Sequence, residues 1–444
     1  MQLKNISEQT IVITGATSGI GLTTARMAAR QGARLVLIAR NEDALRELTN
    51  EINAQGGERA IYAVADVADE AALRKAADRA IAHFGGFDTW VNNAGGSVYG
   101  RITDVPTTDF RRLFDTNVWG VVNGSKIAVD HLRNKSGALI NIGSEVSDAA
   151  VPLQGMYSAS KHAVKGFTDA LRIEVEADGL PISVTLIKPT AIHTPFPENA
   201  KNYLPYEPQL PPPVYAPELV AEAILHCAQT PVRDFFVGGM GKAHSSLAIN
   251  APRLYEKMNE AMIDSFQNSG EPVHSNRPDG LYKTNSNLRE RGERERFVKE
   301  TSIYQKAEMH PILFGALAVG AGLGIAALLS TRKSRANNNR SYFTENVLNP
   351  SEIREKMEVV GSDGAHVGTI DRVERGEIKL TRKDSPDGKH HLIPISFIES
   401  VSGNKVVLDQ TAEEARQMWA TVQSKPQGNR DDERGDLRGL SASV

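Results

Sequence analysis

Thr14-Gly15-Ala16-Thr17-Ser18-Gly19-Ile20-Gly21 closes a short apolar run, 10–14, and opens a stretch with helical spacing. Glycines here let the backbone turn tightly and approach a pyrophosphate, and the free N–H groups of a helix start point the positive end of its dipole at it. A glycine-rich turn alone can be a bare structural turn. Set between a strand and a helix at the start of a strand–helix–strand unit, it reads as a dinucleotide cradle. Further apolar runs at 35–39, 61–64, 89–92, 138–142, 183–188 and 235–237 read as buried strands. Between them lie stretches of helical spacing, such as Ala44, Leu45, Leu48 and Ile52, or Leu73, Ala76, Ala80 and Ile81. Strands separated by helices of ten or more residues imply crossovers, hence an α/β domain with a doubly wound parallel sheet covered on both faces. Two longer helices, over 109–133 and 156–176, carry apolar faces large enough for the sheet and a subunit partner.

The second strand ends Leu37-Ile38-Ala39-Arg40-Asn41. A site that chooses NAD usually places Asp or Glu here for the ribose 2′-hydroxyl. This chain has Ala39 and then the cation Arg40, and a guanidinium suits a 2′-phosphate through bidentate, charge-assisted bonds. The charge favours NADP over NAD; the alternative is that Arg40 stacks on adenine or points to water.

Beyond the glycine turn come Asp66 after the third strand, Asn92-Asn93-Ala94-Gly95 after the fourth, Asn117, Ser144, Tyr157-Ser158-Ala159-Ser160-Lys161, and Pro189 and Thr194 after the sixth. In this order and spacing the chain resembles the short-chain dehydrogenase/reductase family over residues 8–240. The resemblance implies a Rossmann domain and hydride transfer between a nicotinamide and a carbonyl or alcohol carbon of a small molecule. It implies cofactor contacts from Gly15, Ser18, Gly19, Ile20 and Gly21, from Arg40, and from Thr194. Asp66 would hold the adenine amino group, Asn93 would pin the central strand near the cofactor, and a homo-oligomer, dimer or tetramer, is implied as well. One departure is Thr190 where the family often has glycine after Pro189, which bears on the loop near the nicotinamide carboxamide.

Reducing a ketone takes a hydride on carbon and a proton on oxygen. A tyrosine hydroxyl, with an ordinary pKa of about 10, is a poor partner at neutral pH. A lysine four residues along the same helix shares its face, and its ammonium favours the phenolate. Tyr157 is therefore the expected acid/base, with Lys161 as its tuner and a ribose ligand. Ser144 would bond the substrate oxygen as charge develops on it, and Asn117 would support a water linking Lys161 to solvent. A lone Tyr-x-x-x-Lys can equally be an ordinary helix face; Ser144 and Asn117 alongside it tip the reading to catalysis.

The 444 residues leave room for two or three folding units, of which 1–245 is the first. Pro195, Pro197, Pro205, Pro208 and Pro211 to Pro213 cannot sit in regular elements, so this stretch reads as a long loop and substrate lid. Residues 246–310 read as an extension, with one helix over 247–266 and a solvated helical stalk or linker over 288–300, where nine of thirteen residues are charged. Residues 312–329 carry no charge or hydroxyl, and a transmembrane helix is expected over 311–330, with Ala316, Gly320 and Gly324 as a small-residue stripe; the alternative is a buried hairpin helix. That reading tethers the chain by a single pass to a bacterial inner membrane with its catalytic domain in the cytoplasm. A linker at 331–350 leads to an all-β module at 351–420, with strands at 357–360, 366–370, 377–380, 392–395 and 405–408 and a closing helix at 412–419. Its runs Glu358-Val359-Val360-Gly361-Ser362-Asp363-Gly364 and Val367-Gly368-Thr369-Ile370-Asp371 resemble PRC-barrel-like domains, which implies a binding role. The tail 421–444 is polar and reads as disordered.

A net charge of −3 gives no pull towards nucleic acid. Cys227 alone excludes an internal disulfide, and residues 1–9 are too polar for a signal peptide. His366, His390 and His391 lack acidic neighbours at ligand spacing, so no metal site is assigned. Two functions remain: an NADP-dependent oxidoreductase, or a nucleotide-binding sensor or scaffold whose C-terminal module recruits partners.

Overall fold

Seven of the apolar runs form one parallel sheet: β1 Thr10–Thr14, β2 Arg34–Ala39, β3 Ala60–Val64, β4 Thr89–Asn92, β5 Gly137–Ile142, β6 Ile182–Pro189 and β7 Asp234–Val237. Their order is β7-β6-β5-β4-β1-β2-β3, with every neighbour pair parallel. Every residue of β1, β5 and β6 is buried, which is why these strands read as continuous apolar runs rather than alternating ones. The computed structural model describes residues 1–309, apart from 264–266, 275, 278, 285–287, 295 and 296, and residues 353–416, apart from 375, 385–387 and 389. These fall into two compact units, one in each range.

Helices cover both faces of the sheet. On one side α1 Gly19–Arg30, α2 Glu42–Asn53 and the helix Pro217–Cys227 bury Leu22, Leu45, Leu48, Val220 and Ile224. On the other, α3 Glu70–Phe84, α5 Gly120–Leu132 and α6 Gly155–Ala177 bury Leu73, Ala77, Ile127, Leu132 and Val175. Asn41 and Asp69 cap α2 and α3 by accepting from the N–H groups of Ala44 and Ala72. The helix expected over 109–133 is interrupted: α4 Thr107–Phe114 passes into a π-helical turn, Asp115–Trp119, before α5. The chain leaves β1 towards β2 on one side and reaches β4 on the other, so a crevice opens at the carboxyl ends of β1 and β4.

The proline-rich stretch is not a free loop. It supplies Lys201–Asn202, paired with Val98–Tyr99, then Tyr206–Pro208, paired with Asn268–Pro272, and Val214–Tyr215, paired with Val298–Lys299. The helix expected over 247–266 is two, Gly239–Asn250 and Pro252–Met262, because Pro252 can open a helix but not continue one. Among the described residues of 288–300 there is no helical stalk. Their charges pair with the catalytic unit and its extension instead: Arg289 with Glu198 at 2.8 Å, Glu290 with Arg26 at 2.6 Å, Arg291 with Glu218 at 2.9 Å and Arg294 with Glu271 at 2.8 Å.

The expected transmembrane helix, and with it the single-pass membrane localisation, does not stand. No helix among the described residues is long and apolar enough to cross a membrane. The apolar run 312–329 lies outside those residues, as do the linker 331–350 and the tail 421–444. Its physical weakness is its length, since eighteen helical residues reach about 27 Å against a hydrocarbon core of roughly 30 Å.

Among the described residues the second unit is all-β apart from short helical turns and the start of a helix at 412–416. Its six strands run in the order Leu392–Pro394, Glu377–Leu380, His366–Glu374, Glu358–Val360, Lys405–Leu408, Ile398–Ser402. Val359, Val367, Ile370, Ile378, Leu380 and Val406 form its core, and residues 412–416 begin the expected closing helix. Ile398–Ser402 is the strand that the turn signals did not mark.

Candidate active site

The crevice holds a cavity of about 320 Å³. The glycine turn forms its floor at one end. Gly15 and Gly19 have φ of +67° and +50°, the left-handed region where glycine is favoured. A Cβ at Gly15 would come within 2.9 Å of the Ala94 backbone, and one at Gly21 would run into the Gly15 carbonyl. A backbone this close, opening directly into α1, fits a pyrophosphate and leaves no room for side chains. Ser18 and Ile20 line the same floor, and Thr194 packs on Gly19 from the far wall.

Thr14 and Asn92, which the motif reading quoted without a role, hold this floor in place together with Asn93. Thr14 Oγ1 accepts from the N–H groups of Asn93 and Ala94, both at 3.0 Å, and donates to the Val91 carbonyl at 3.2 Å. Asn93 Nδ2 donates back to the carbonyls of Thr14 and Gly15 at 2.9 and 3.3 Å. Behind it, buried Asn92 donates to Asn141 at 2.8 Å and Ser125 at 3.1 Å, and accepts from the Trp90 indole at 2.8 Å. A chain of buried polar groups at the ends of β4 and β5 is the signal that could have marked these residues.

At the adenosine end, Asp66 accepts from Ala68 N–H at 3.0 Å and pairs with Arg112. These bonds hold its carboxyl below the ordinary range against the opposing effect of burial, which is the largest single influence on it. Arg40 also points here, but its guanidinium is bonded to carbonyls of the extension: Nη2 to Gly280 at 2.6 Å and Lys283 at 3.4 Å, and Nη1 to Leu281 at 3.3 Å. Gly280, Leu281, Lys283 and Thr284 therefore line the cavity, residues that lay in a stretch read only as an extension.

At the other end stand the four polar residues of the expected tetrad. Ser144 and Tyr157 both line the cavity, close enough for the serine hydroxyl to favour the phenolate. Lys161 Nζ donates to the Ile142 carbonyl at 2.8 Å and lies 5.8 Å from the Tyr157 ring centroid. Asn117 sits in the π-helical turn, fully buried. Its amide donates to the Gly96 carbonyl and to Ser160 Oγ, each at 3.0 Å, and accepts from Gly96 N–H at 2.9 Å. Gly95 lies between Asn117 and Lys161, its Cβ position in ordinary van der Waals contact with Asn117 Oδ1 and Lys161 Nζ at 3.4 and 3.9 Å. The tuning differs from expectation. Desolvation pushes Tyr157 up to about 12, with the Ser144 hydroxyl opposing it and the Glu145 charge adding to it. The same cause brings Lys161 down to about 8. In the chain alone, burial outweighs any lowering of the Tyr157 pKa by Lys161.

Thr190 bonds through both N–H and Oγ1 to the Val237 carbonyl, at 3.2 and 3.1 Å, and its methyl group faces Gly241. Its side chain is thus tied to β7. Leu210 and Pro211 of the proline-rich stretch, with Val146, Val151 and Phe196, wall the space in front of Tyr157.

Residues 353–416 match a family described as "Uncharacterized protein conserved in bacteria (DUF2171)", a match that does not confirm the PRC-barrel-like resemblance of their strand runs. Residues 9–203 match the family described as short chain dehydrogenase. Uncharacterized oxidoreductase YxnA of Bacillus subtilis (strain 168) is 43% identical over 323 residues, 72% of this chain and 90% of that one. Dehydrogenase/reductase SDR family member 7B of Bos taurus is 39% identical over 196 residues, 43% of this chain and 60% of its own length. A solved short chain dehydrogenase/reductase from Burkholderia phymatum, in complex with NAD, shares the fold with a TM-score of 0.50 at 24% identity, over 57% of this chain and 96% of its own. A glycine-turned parallel sheet and a 43% identity that spans nine-tenths of an oxidoreductase place this chain in the short-chain dehydrogenase/reductase family, as a dehydrogenase/reductase enzyme.

Proposed function

We propose that the chain transfers a hydride between NADP(H) and a carbonyl or alcohol carbon of a small molecule, with Tyr157 as the acid/base. The observation that carries this reading is that Ser144, Tyr157 and Lys161 line one cavity together, with the Lys161 ammonium 5.8 Å from the Tyr157 ring centroid. The dinucleotide, when bound, supplies or takes up the hydride. The chain does the rest. Gly15, Gly19, Gly21 and the start of α1, with Ser18 and Ile20, hold the pyrophosphate. Asp66 takes the adenine amino group, Arg40 a 2′-phosphate, and Lys161 the ribose hydroxyls. Thr194 closes the nicotinamide end, and Asn93 keeps the floor at its distance.

In reduction, Ser144 and Tyr157 both bond the substrate oxygen. Charge developing on that oxygen draws the Tyr157 proton onto it, and Ser144 stabilises the charge until the proton arrives. A phenol held at about 12 stays protonated at neutral pH, which suits it to donate. The Lys161 cation then lowers the cost of the phenolate left behind. Asn117 fixes Ser160 and the Gly96 loop, and so the helix face that carries both Tyr157 and Lys161. A scaffold that only bound a nucleotide would have no use for this second cluster.

The test is NADPH consumption by the full chain against a panel of ketones and aldehydes. Tyr157→Phe should lower kcat by roughly 10²–10⁴-fold, with NADPH still titrating as in the parent. A variant that keeps more than about a tenth of the rate would remove Tyr157 from the acid/base role.

A further inference from the structure

The donors expected to meet the cofactor's phosphates are already bonded within the chain. Arg40 gives Nη1 and Nη2 to the carbonyls of Gly280, Leu281 and Lys283. At the first turn of α1, Gly19 N–H donates to the Arg289 carbonyl at 2.8 Å. In both places a neutral backbone oxygen stands where a phosphate oxygen would be held. We propose that residues 279–284 and 288–294 compete with the dinucleotide for its own phosphate donors, and so set both how tightly the cofactor is held and how strongly NADP is preferred to NAD. This rests on the dinucleotide reading above.

The two segments are anchored by contacts outside the phosphate sites. Leu281 is buried among Val98, Val105 and Leu113. Asp279 pairs with Lys201 at 2.6 Å, Tyr282 donates to Asp109 at 2.9 Å, and Arg112 Nε donates to the Leu281 carbonyl at 3.3 Å. Further on, Glu290 accepts from Arg26 at 2.6 Å and from Thr23 at 3.2 Å, while Arg289 holds Glu198 at 2.8 Å. These anchors keep the carbonyls on Arg40 and Gly19 without any help from a ligand. A phosphate brings its own charge to both donors. It pairs ion with ion at Arg40, and at the neutral Gly19 N–H it makes a bond roughly twice as strong as a carbonyl does. The cofactor therefore displaces the carbonyls, but against a standing cost. Where the open form is only a fraction of the population, the apparent affinity falls by that fraction.

The two ends act on different parts of the cofactor. Arg40 faces a 2′-phosphate, which only NADP(H) carries, whereas Gly19 N–H faces a pyrophosphate common to both dinucleotides. A Cβ at Gly280 would run into the Asn199 carbonyl, so Gly280→Val lifts 279–284 off Arg40. Glu290→Lys sets a cation against Arg26 and loosens 288–294 at an accessible site.

Fluorescence titration of the full chain with NADPH and with NADH reads both effects. Gly280→Val should tighten NADPH by about ten-fold and NADH by less than about three-fold, and Glu290→Lys should tighten both by a similar factor. Unchanged dissociation constants in both variants would overturn the competition. So would weaker binding, which would make the segments a supporting wall. Thermal melts show whether each variant is folded, and if Gly280→Val is not, the Glu290→Lys titrations decide. If the folded parent and both variants bind neither dinucleotide, the dinucleotide reading itself falls, and the competition with it.

Discussion

Lys161 and Tyr157 lie one turn apart on α6, and the same desolvation moves their protons in opposite directions. It disfavours the charged form of each, bringing the ammonium down to about 8 and the phenol up to about 12. Near neutral pH the pair is therefore cation and phenol, the forms that reduction needs. Above about 8, Lys161 loses its charge, so the reduction rate at saturating cofactor should fall through that pH. Lys161→Arg keeps a charge at any accessible pH and should move this alkaline limb upward, even at a lower plateau. A limb that stays in place would assign the ionisation to another group. Stability should move the other way. Between about 8 and the ordinary lysine value of 10.5 the unfolded chain binds more protons than the folded one, so stability rises with pH as the buried cation is neutralised. Above 10, Tyr157 opposes this, because its folded form keeps a proton that the unfolded form has lost. Thermal melts across this range check the sign.

The glycine turn shows what a short element demands of its sequence. A methyl group at Gly21 would press on the Gly15 carbonyl and come within 2.5 Å of Asn93 Nδ2, the donor that ties β4 to the turn. Gly21→Ala should thus cost about 1–3 kcal/mol, a drop in Tm of roughly 2–12 °C for a domain of this size, and should weaken NADPH titration. An unchanged Tm would mean that the turn absorbs the methyl group. This element was legible because glycine, strand and helix signals coincide within a few residues. The core strands were legible because both their faces are buried and their apolar runs are unbroken. Lys201–Asn202, Tyr206–Pro208 and Val298–Lys299 were not, because two or three residues carry no periodicity and their pairing is set by partners as far as 103 residues away. The charges of 288–300 were misread for a related reason. Alternating signs look solvated in one dimension, yet Glu290 finds Arg26 and Arg291 finds Glu218 once the chain folds back. For the site the same division holds. Ser144, Tyr157 and Lys161 were visible in their spacing, whereas the bonds of Thr14 and Asn92, quoted in the motifs without a role, and the carbonyls facing Arg40 are contacts that no local pattern encodes.

At the scale of the whole molecule, the outward faces of the catalytic unit bear on how many copies assemble. The layer of α3, α5 and α6 already buries one side against the sheet. On its other side Ile173 of α6 is 67% exposed, and Trp119, where the π-helical turn meets α5, is 56% exposed. Single exposed apolar residues are ordinary on a protein surface, but large ones on the outer side of one helical layer are what a two-fold contact covers, because each copy offers the same surface to the other. The full chain is therefore expected to run as a dimer or tetramer in light scattering. Ile173→Glu should shift it to a smaller species by placing like charges face to face across the axis. Because Ile173 is exposed in the single chain, the substitution should change the stability of a protomer by less than about 0.5 kcal/mol, and NADPH titration checks that the site is intact. A parent protein with the mass of one chain, or a variant with the mass of the parent, would remove these helices from any interface.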